Sequence, residues 1–191
     1  MRRARIAQAV RAFADAACRA QNSGFDLVEI HAADGYLISQ FLAPLENRAR
    51  IGLDIVRAIK AAAPGLAVTF RLNGPDFFEG GMPLKEARQV AVWAADAGAD
   101  AIHMSGGDYR SQPSAGIMIP PMATPERPFL HYAEEVKKRV AVPVIAVGRL
   151  GDPQRAIDAV EHGRAAFVAL GRPLLADPEW AAKAQRGTRV S

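Results

Sequence analysis

Short apolar runs recur along this chain, and each ends in residues that can do chemistry. Residues 25–30 run into His31, and Val68-Thr69-Phe70 runs into Arg71-Leu72-Asn73. Ala101-Ile102-His103-Met104 leads to Ser105-Gly106-Gly107, residues 142–147 lead to Gly148-Arg149, and residues 167–170 lead to Gly171-Arg172. Between these runs the period changes from continuous to helical, as where Ile51, Ile55 and Ile59 form an i, i+4, i+8 stripe. The pattern predicts helices over 3–21, 46–63, 83–97, 129–140, 153–162 and 178–186. Gly24, Gly98 and Gly163 fall where helices should stop. Asp152-Pro153 and Asp177-Pro178 fall where helices should start, with Asp as the cap and Pro in the first turn.

Strands that alternate with helices and are apolar throughout imply a parallel sheet buried on both faces. The fold class expected is α/β, of the (β/α) TIM-barrel type, because the polar residues cluster at the carboxyl ends of successive strands, where a barrel gathers its site. A doubly wound sheet is the alternative, but no G-x-G-x-x-G follows an early strand. Five strands are predicted, whereas a closed barrel has eight and about 250 residues. Residues 1–191 are therefore expected to form a single partial TIM-barrel domain, about five of eight βα units. Such a piece is either the later part of a longer enzyme or a unit that associates across its open edges, so a homo-oligomer is possible.

Composition narrows the partners. The net charge of +4 comes mostly from Arg spread along the chain, which gives no concentrated basic face for nucleic acid. No apolar run approaches the ~20 residues of a membrane-spanning helix. Cys18 is the only cysteine, so no internal disulfide or Cys-rich metal site is expected, and a cytoplasmic setting is the default. The basic start, Met1-Arg2-Arg3-Ala4-Arg5, continues as an amphipathic helix through Ile6, Val10, Phe13 and Ala17 and lacks the apolar core of an export signal.

Three constellations carry candidate chemistry. Gly148-Arg149 and Gly171-Arg172 follow the last two strands, where barrels commonly hold a phosphate through accessible amides and a nearby cation. The simpler reading is that each pair turns the chain and meets a surface carboxylate. Arg71 shares a strand face with Thr69, and an inward Arg needs an anion or an electron-rich ring. Its structural alternative is an ion pair with Glu29 on the neighbouring strand. The third block, His31-Ala32-Ala33-Asp34-Gly35-Tyr36, holds an imidazole, a carboxylate and a phenol within six positions. His103 reads as a core residue, and His131 and His162 as helix-face residues; none has metal-ligand spacing, so no metal is expected. Trp93 and Trp180 read as packing residues, and Lys137-Lys138-Arg139 as a solvated helix end.

With V-E-I-H, G-Y-L, Q-F-L-x-P, E-N-R-A-R, F-R-L-N, M-S-G-G, A-V-G-R and L-G-R-P-L-L-A-D-P-E-W in this order, the sequence resembles the old yellow enzyme family of flavin-dependent oxidoreductases. Ile119-Pro120-Pro121 and Asp177-Pro178-Glu179-Trp180 look closest to the branch with 2,4-dienoyl-CoA reductases. The resemblance implies an FMN-containing barrel reduced by NAD(P)H that transfers hydride to an activated alkene, such as an α,β-unsaturated carbonyl. By it, Arg71 would contact the pyrimidine side of the flavin, and Gly148, Arg149, Gly171 and Arg172 would hold the FMN phosphate. His31 and position 34 would grip the substrate oxygen, and Tyr36 would supply the proton.

The chain departs from the family pattern in four places. Position 34 usually carries Asn or His, which donate; an ionised Asp34 only accepts, which implies weak reduction of ordinary enones or a different substrate. Leu45 joins Glu46 without the long loop the family places there. The first three strands, which contribute contacts along the flavin, have no counterpart, and the chain stops at Ser191, before the branch's cluster-binding cysteines. Two other classes therefore stand beside an ene reductase: a non-catalytic fragment acting by self-association, and a phosphate-binding lyase or isomerase without flavin.

Overall fold

The computed structural model describes residues 3–42, 49–110, 112 and 114–190. Helix α1 (Arg3–Asn22) precedes strand β1 (Leu27–Ala32), and α2 (Ala49–Ala62) precedes β2 (Ala67–Asn73). The alternation continues through α3 (Leu84–Asp96), β3 (Ala101–Ser105), α4 (Ser114–Met118), α5 (Leu130–Lys137), β4 (Val144–Val147), α6 (Pro153–Glu161) and β5 (Phe167–Ala169). Two short helices, α7 (Arg172–Ala176) and α8 (Trp180–Gln185), close it. All neighbouring strands are parallel and the sheet order is β1-β2-β3-β4-β5. That is the order of a barrel wall, since a doubly wound sheet reverses its order partway.

Period-two alternation sends successive side chains of each strand to opposite faces of the sheet. Val28, Ile30 and Ala32, Val68, Phe70 and Leu72, Ile102 and Met104, and Val144 and Ala146 lie on one face in register. Most are fully buried and join the core with Ile51, Ile55 and Ile59 of α2 and Val90 and Ala94 of α3. Burying each large aliphatic or aromatic side chain contributes roughly 1.5–3 kcal/mol, so this face holds the fold. The opposite face carries Glu29 and His31, then Thr69, Arg71 and Asn73, then His103 and Ser105, again in register.

The helix ends follow local chemistry. Asp152 caps α6 by accepting from the Arg155 amide at 3.0 Å, with Pro153 in the first turn. Asp177 does not cap α8: its carboxylate takes Lys183 Nζ at 2.9 Å and the Glu179 amide at 3.2 Å, and the helix begins at Trp180. Trp180 is buried and donates from Nε1 to the Gly151 carbonyl at 2.8 Å, while Trp93 packs partly buried against the core. Strand β4 starts after Pro143, which has no N–H to give the ladder. Strands β1 and β2 run further than the apolar runs suggest, so His31, Arg71 and Asn73 are strand residues. Residues 46–48 of the second predicted helix, the Leu45–Glu46 junction and Ser191 lie outside the described residues.

Candidate active site

The polar face of the sheet organises the site. Strand register sets His31, Arg71 and His103 side by side on β1, β2 and β3. Above them the chain leaves β1 through Asp34, whose φ of 62° is left-handed, and this turn folds its carboxylate back over the strand ends. Asp34 Oδ2 accepts from Arg71 Nη2 at 2.9 Å and lies 3.4 Å from His31 Nε2. The partner of Arg71 is thus Asp34 and not Glu29, which lies one layer lower. Glu29 Oε2 instead meets Nδ1 of His103 at 2.8 Å, crossing over the small Thr69 between them.

The turn is locked from several sides. The Asp34 amide donates to Asn73 Oδ1 at 3.3 Å, and Asn73 Nδ2 donates to Asp76 Oδ1 at 2.9 Å and to the Gly107 carbonyl at 2.7 Å. Ser105 Oγ donates to Asn73 Oδ1 at 3.1 Å. Gly35, also at positive φ, passes so close to Asp108 that a Cβ there would sit 2.6 Å from its Oδ1. Asp108 in turn is fully buried and paired with Arg110. Tyr36 stands half exposed with its ring 4.9 Å from His31 and 5.4 Å from Tyr109.

Burial sets the titration of this cluster. It pushes the Asp34 carboxyl up from its ordinary value, with Arg71, His31 and Ser105 pulling the other way. It also lowers His31, and the Arg71 charge adds to the effect. The Ala33 amide reaches His31 Nδ1 at 3.4 Å, so Nδ1 is the accepting nitrogen and Nε2 bears the hydrogen. Burial raises Glu29, but hydrogen bonding to His103 and its charge outweigh this, and the carboxyl ends below its ordinary value.

Beside the cluster opens a cavity of about 650 Å³ whose wall includes Arg71, Ser105, Gly148, Arg149, Gly171 and Arg172. Both Gly-Arg pairs and Arg71 therefore face one space. Gly148 has φ 103°, and a Cβ there would lie 2.8 Å from the Phe129 ring. Arg149 is left-handed as well, at φ 50°. Among the described residues no carboxylate or carbonyl partners the Arg149 side chain, and no acceptor takes the amides of Gly148, Arg149, Gly171 or Arg172. Arg172 differs: its Nη2 donates to the Pro120 carbonyl at 2.8 Å and ties α7 to the segment after α4. Arg155, also on the cavity wall, pairs with Glu126.

The structure thus brings His31, Asp34, Tyr36 and Arg71 into one cluster and the two Gly-Arg pairs into the adjoining cavity. Sequence reasoning missed Asn73 and Ser105 as members. Their signal was available, since each follows Arg71 or His103 by two positions on the same strand face.

A family model for the NADH:flavin oxidoreductase / NADH oxidase family matches residues 1–190. The chain is 40% identical to NADH oxidase of Thermoanaerobacter brockii over 95% of this chain and 30% of that protein. Among solved structures, 2-naphthoyl-CoA reductase in complex with 2-naphthoyl-CoA superposes with a TM-score of 0.89 and 28% identity, covering 96% of this chain and 29% of that one. Morphinone reductase in complex with tetrahydroNAD gives 0.74 and 28%, covering 100% and 52%. The chain spans about 30% of the length of the NADH oxidase it matches. No described helix is long and apolar enough to cross a membrane. With its family model matched along nearly its whole length, this chain belongs to the NADH:flavin oxidoreductase / NADH oxidase family, whose members are flavin-dependent oxidoreductases.

Proposed function

We propose that this chain carries the FMN- and substrate-binding part of an NAD(P)H-dependent ene reductase. The observation that carries the reading is the shared cavity, whose wall holds Arg71 together with Arg149 and four amides that have no partner among the described residues. Such an arrangement suits a long ligand with a phosphate at one end and an electron-accepting ring at the other. Gly148, Arg149 and Gly171 would take the phosphate through amides and charge, with Arg172 holding the wall. Arg71 would face the pyrimidine side of the ring. FMN, when bound and reduced by NAD(P)H, supplies hydride chemistry that no side chain here can supply.

The chain's own residues do the rest. His31, neutral with its hydrogen on Nε2, donates to the oxygen of the activating group. Tyr36 gives its phenolic proton to the alkene carbon that receives no hydride. Tyr109 and His31 flank the Tyr36 ring and limit where its oxygen can reach. The test is visible absorbance retained after the purified chain is mixed with FMN and desalted. Retained colour supports the reading, and a folded but colourless chain counts against it.

A second reading rests on the sheet edges. Leu27 of β1 and Phe167 of β5 are 48% and 57% exposed on strands with a single neighbour each among the described residues. Edges of this kind favour association with another polypeptide, and gel filtration over a concentration series would detect a second copy in that place.

A further inference from the structure

The wall of the site pairs a donor with an acceptor. His31 presents Nε2–H, and 3.4 Å away Asp34 presents Oδ2. The carboxylate cannot swing aside. Arg71 holds it at 2.9 Å, the Asn73 side chain holds its amide, and the Gly35 amide is bonded to Ser39 Oγ at 3.2 Å. Asp34 is also 6% exposed, so a lone pair or charge set against it in the site meets the carboxylate with little screening from bulk water.

Three kinds of activating group respond differently to this pair. A ketone or aldehyde offers lone pairs alone: one accepts from His31, and the other faces the Asp34 carboxylate. A carboxylate adds a negative charge to the same clash. A primary amide or a lactam offers a carbonyl oxygen and an N–H on one edge, which matches His31 and Asp34 in two parallel hydrogen bonds, whereas an open-chain secondary amide is trans and turns its N–H away. We propose that the His31–Asp34 pair makes this site specific for α,β-unsaturated primary amides and lactams over the corresponding ketones, aldehydes and acids. The assignment rests on the ene-reductase reading and names its substrate class. Asp34 acts here as the specificity-determining residue and His31 as the shared donor.

The test compares cinnamamide, N,N-dimethylcinnamamide and 4-phenylbut-3-en-2-one by isothermal titration calorimetry on the FMN-loaded chain. Cinnamamide should bind at least about tenfold more tightly than either of the others, because only it donates to Asp34 while accepting from His31, and the others set a lone pair or a methyl group against the carboxylate. Asp34→Asn, whose amide can present oxygen or nitrogen, should bring the three to within about threefold of one another. Equal binding by the unaltered chain, tighter binding of the ketone, or no binding of any of the three overturns the proposal. So does an amide preference that survives Asp34→Asn. The three ligands on the unaltered chain decide the question even if the variant fails to fold. If FMN is lost on desalting, the cofactor reading fails by itself, and the same titrations on the flavin-free chain still read the amide preference.

Discussion

The same strands build two unlike surfaces. On the face toward the helices, Val68, Phe70 and Leu72 of β2 are fully buried among aliphatic neighbours. On the opposite face, one residue out of step, the strand carries Thr69, Arg71 and Asn73. Thr69 Oγ1 and His103 Nε2 are buried there without a partner among the described residues, and in the helix layer Arg88 Nε of α3 is in the same condition. One face is therefore organised for burial, and the other holds polar atoms in place at some cost to stability.

The largest effect should come from the helix-facing side. Phe70→Ala should lower unfolding free energy by about 3–5 kcal/mol, measured by denaturant titration. A loss under 1 kcal/mol would mean that this face does not hold the fold. Next is the cavity: Arg149→Ala should weaken FMN binding by about 10–100-fold, the worth of a charge-assisted hydrogen bond, with no change in melting temperature. A shift in stability without a shift in affinity would move Arg149 from ligand to scaffold. Smaller still, Thr69→Val should leave stability unchanged or raise it by up to about 1 kcal/mol, because it removes an orphaned hydroxyl at nearly constant shape. A marked loss would show that the polar face also supports the fold.

The smallest effect is one of pH. The Glu29 carboxyl is held below its ordinary value of 4.5 in the folded state, so its pair with His103 contributes fully above that value. That contribution is lost as pH falls through the lowered folded value. Glu29→Gln should therefore flatten the acid limb of a stability–pH profile below about pH 4.5. An unaltered acid limb would show that the Glu29–His103 contact is not an ionic one.

What could be read from the sequence follows from which features are periodic. The Ile51, Ile55 and Ile59 stripe and the continuous apolar runs located the main helices and all five strands, because burial repeats with the geometry of the element. The short helices α4 and α7 and the 3-10 turn at Ser39–Phe41 have no such repeat and were not anticipated. The site divides in the same way. Arg71 and the Gly-Arg pairs were legible from their places at strand ends. The Arg71–Asp34 bond was not, because it depends on a left-handed backbone at an aspartate, where sequence gives no glycine to mark it. The Glu29–His103 contact was missed because it joins strands that are not neighbours in the sheet.

The left-handed turn at Arg149 has a consequence for engineering. A long L-side chain at this backbone angle carries a conformational penalty of about 1–2 kcal/mol that glycine escapes, although glycine gives back part of the relief through its freedom in the unfolded chain. Arg149→Gly should thus leave the protein as stable as before, or slightly more so, while removing a cavity cation that has no partner among the described residues. A position where the most comfortable residue is also the disabled one separates foldability from purpose in a single codon. It gives a well-folded blank against which ligand binding by the native chain can be read.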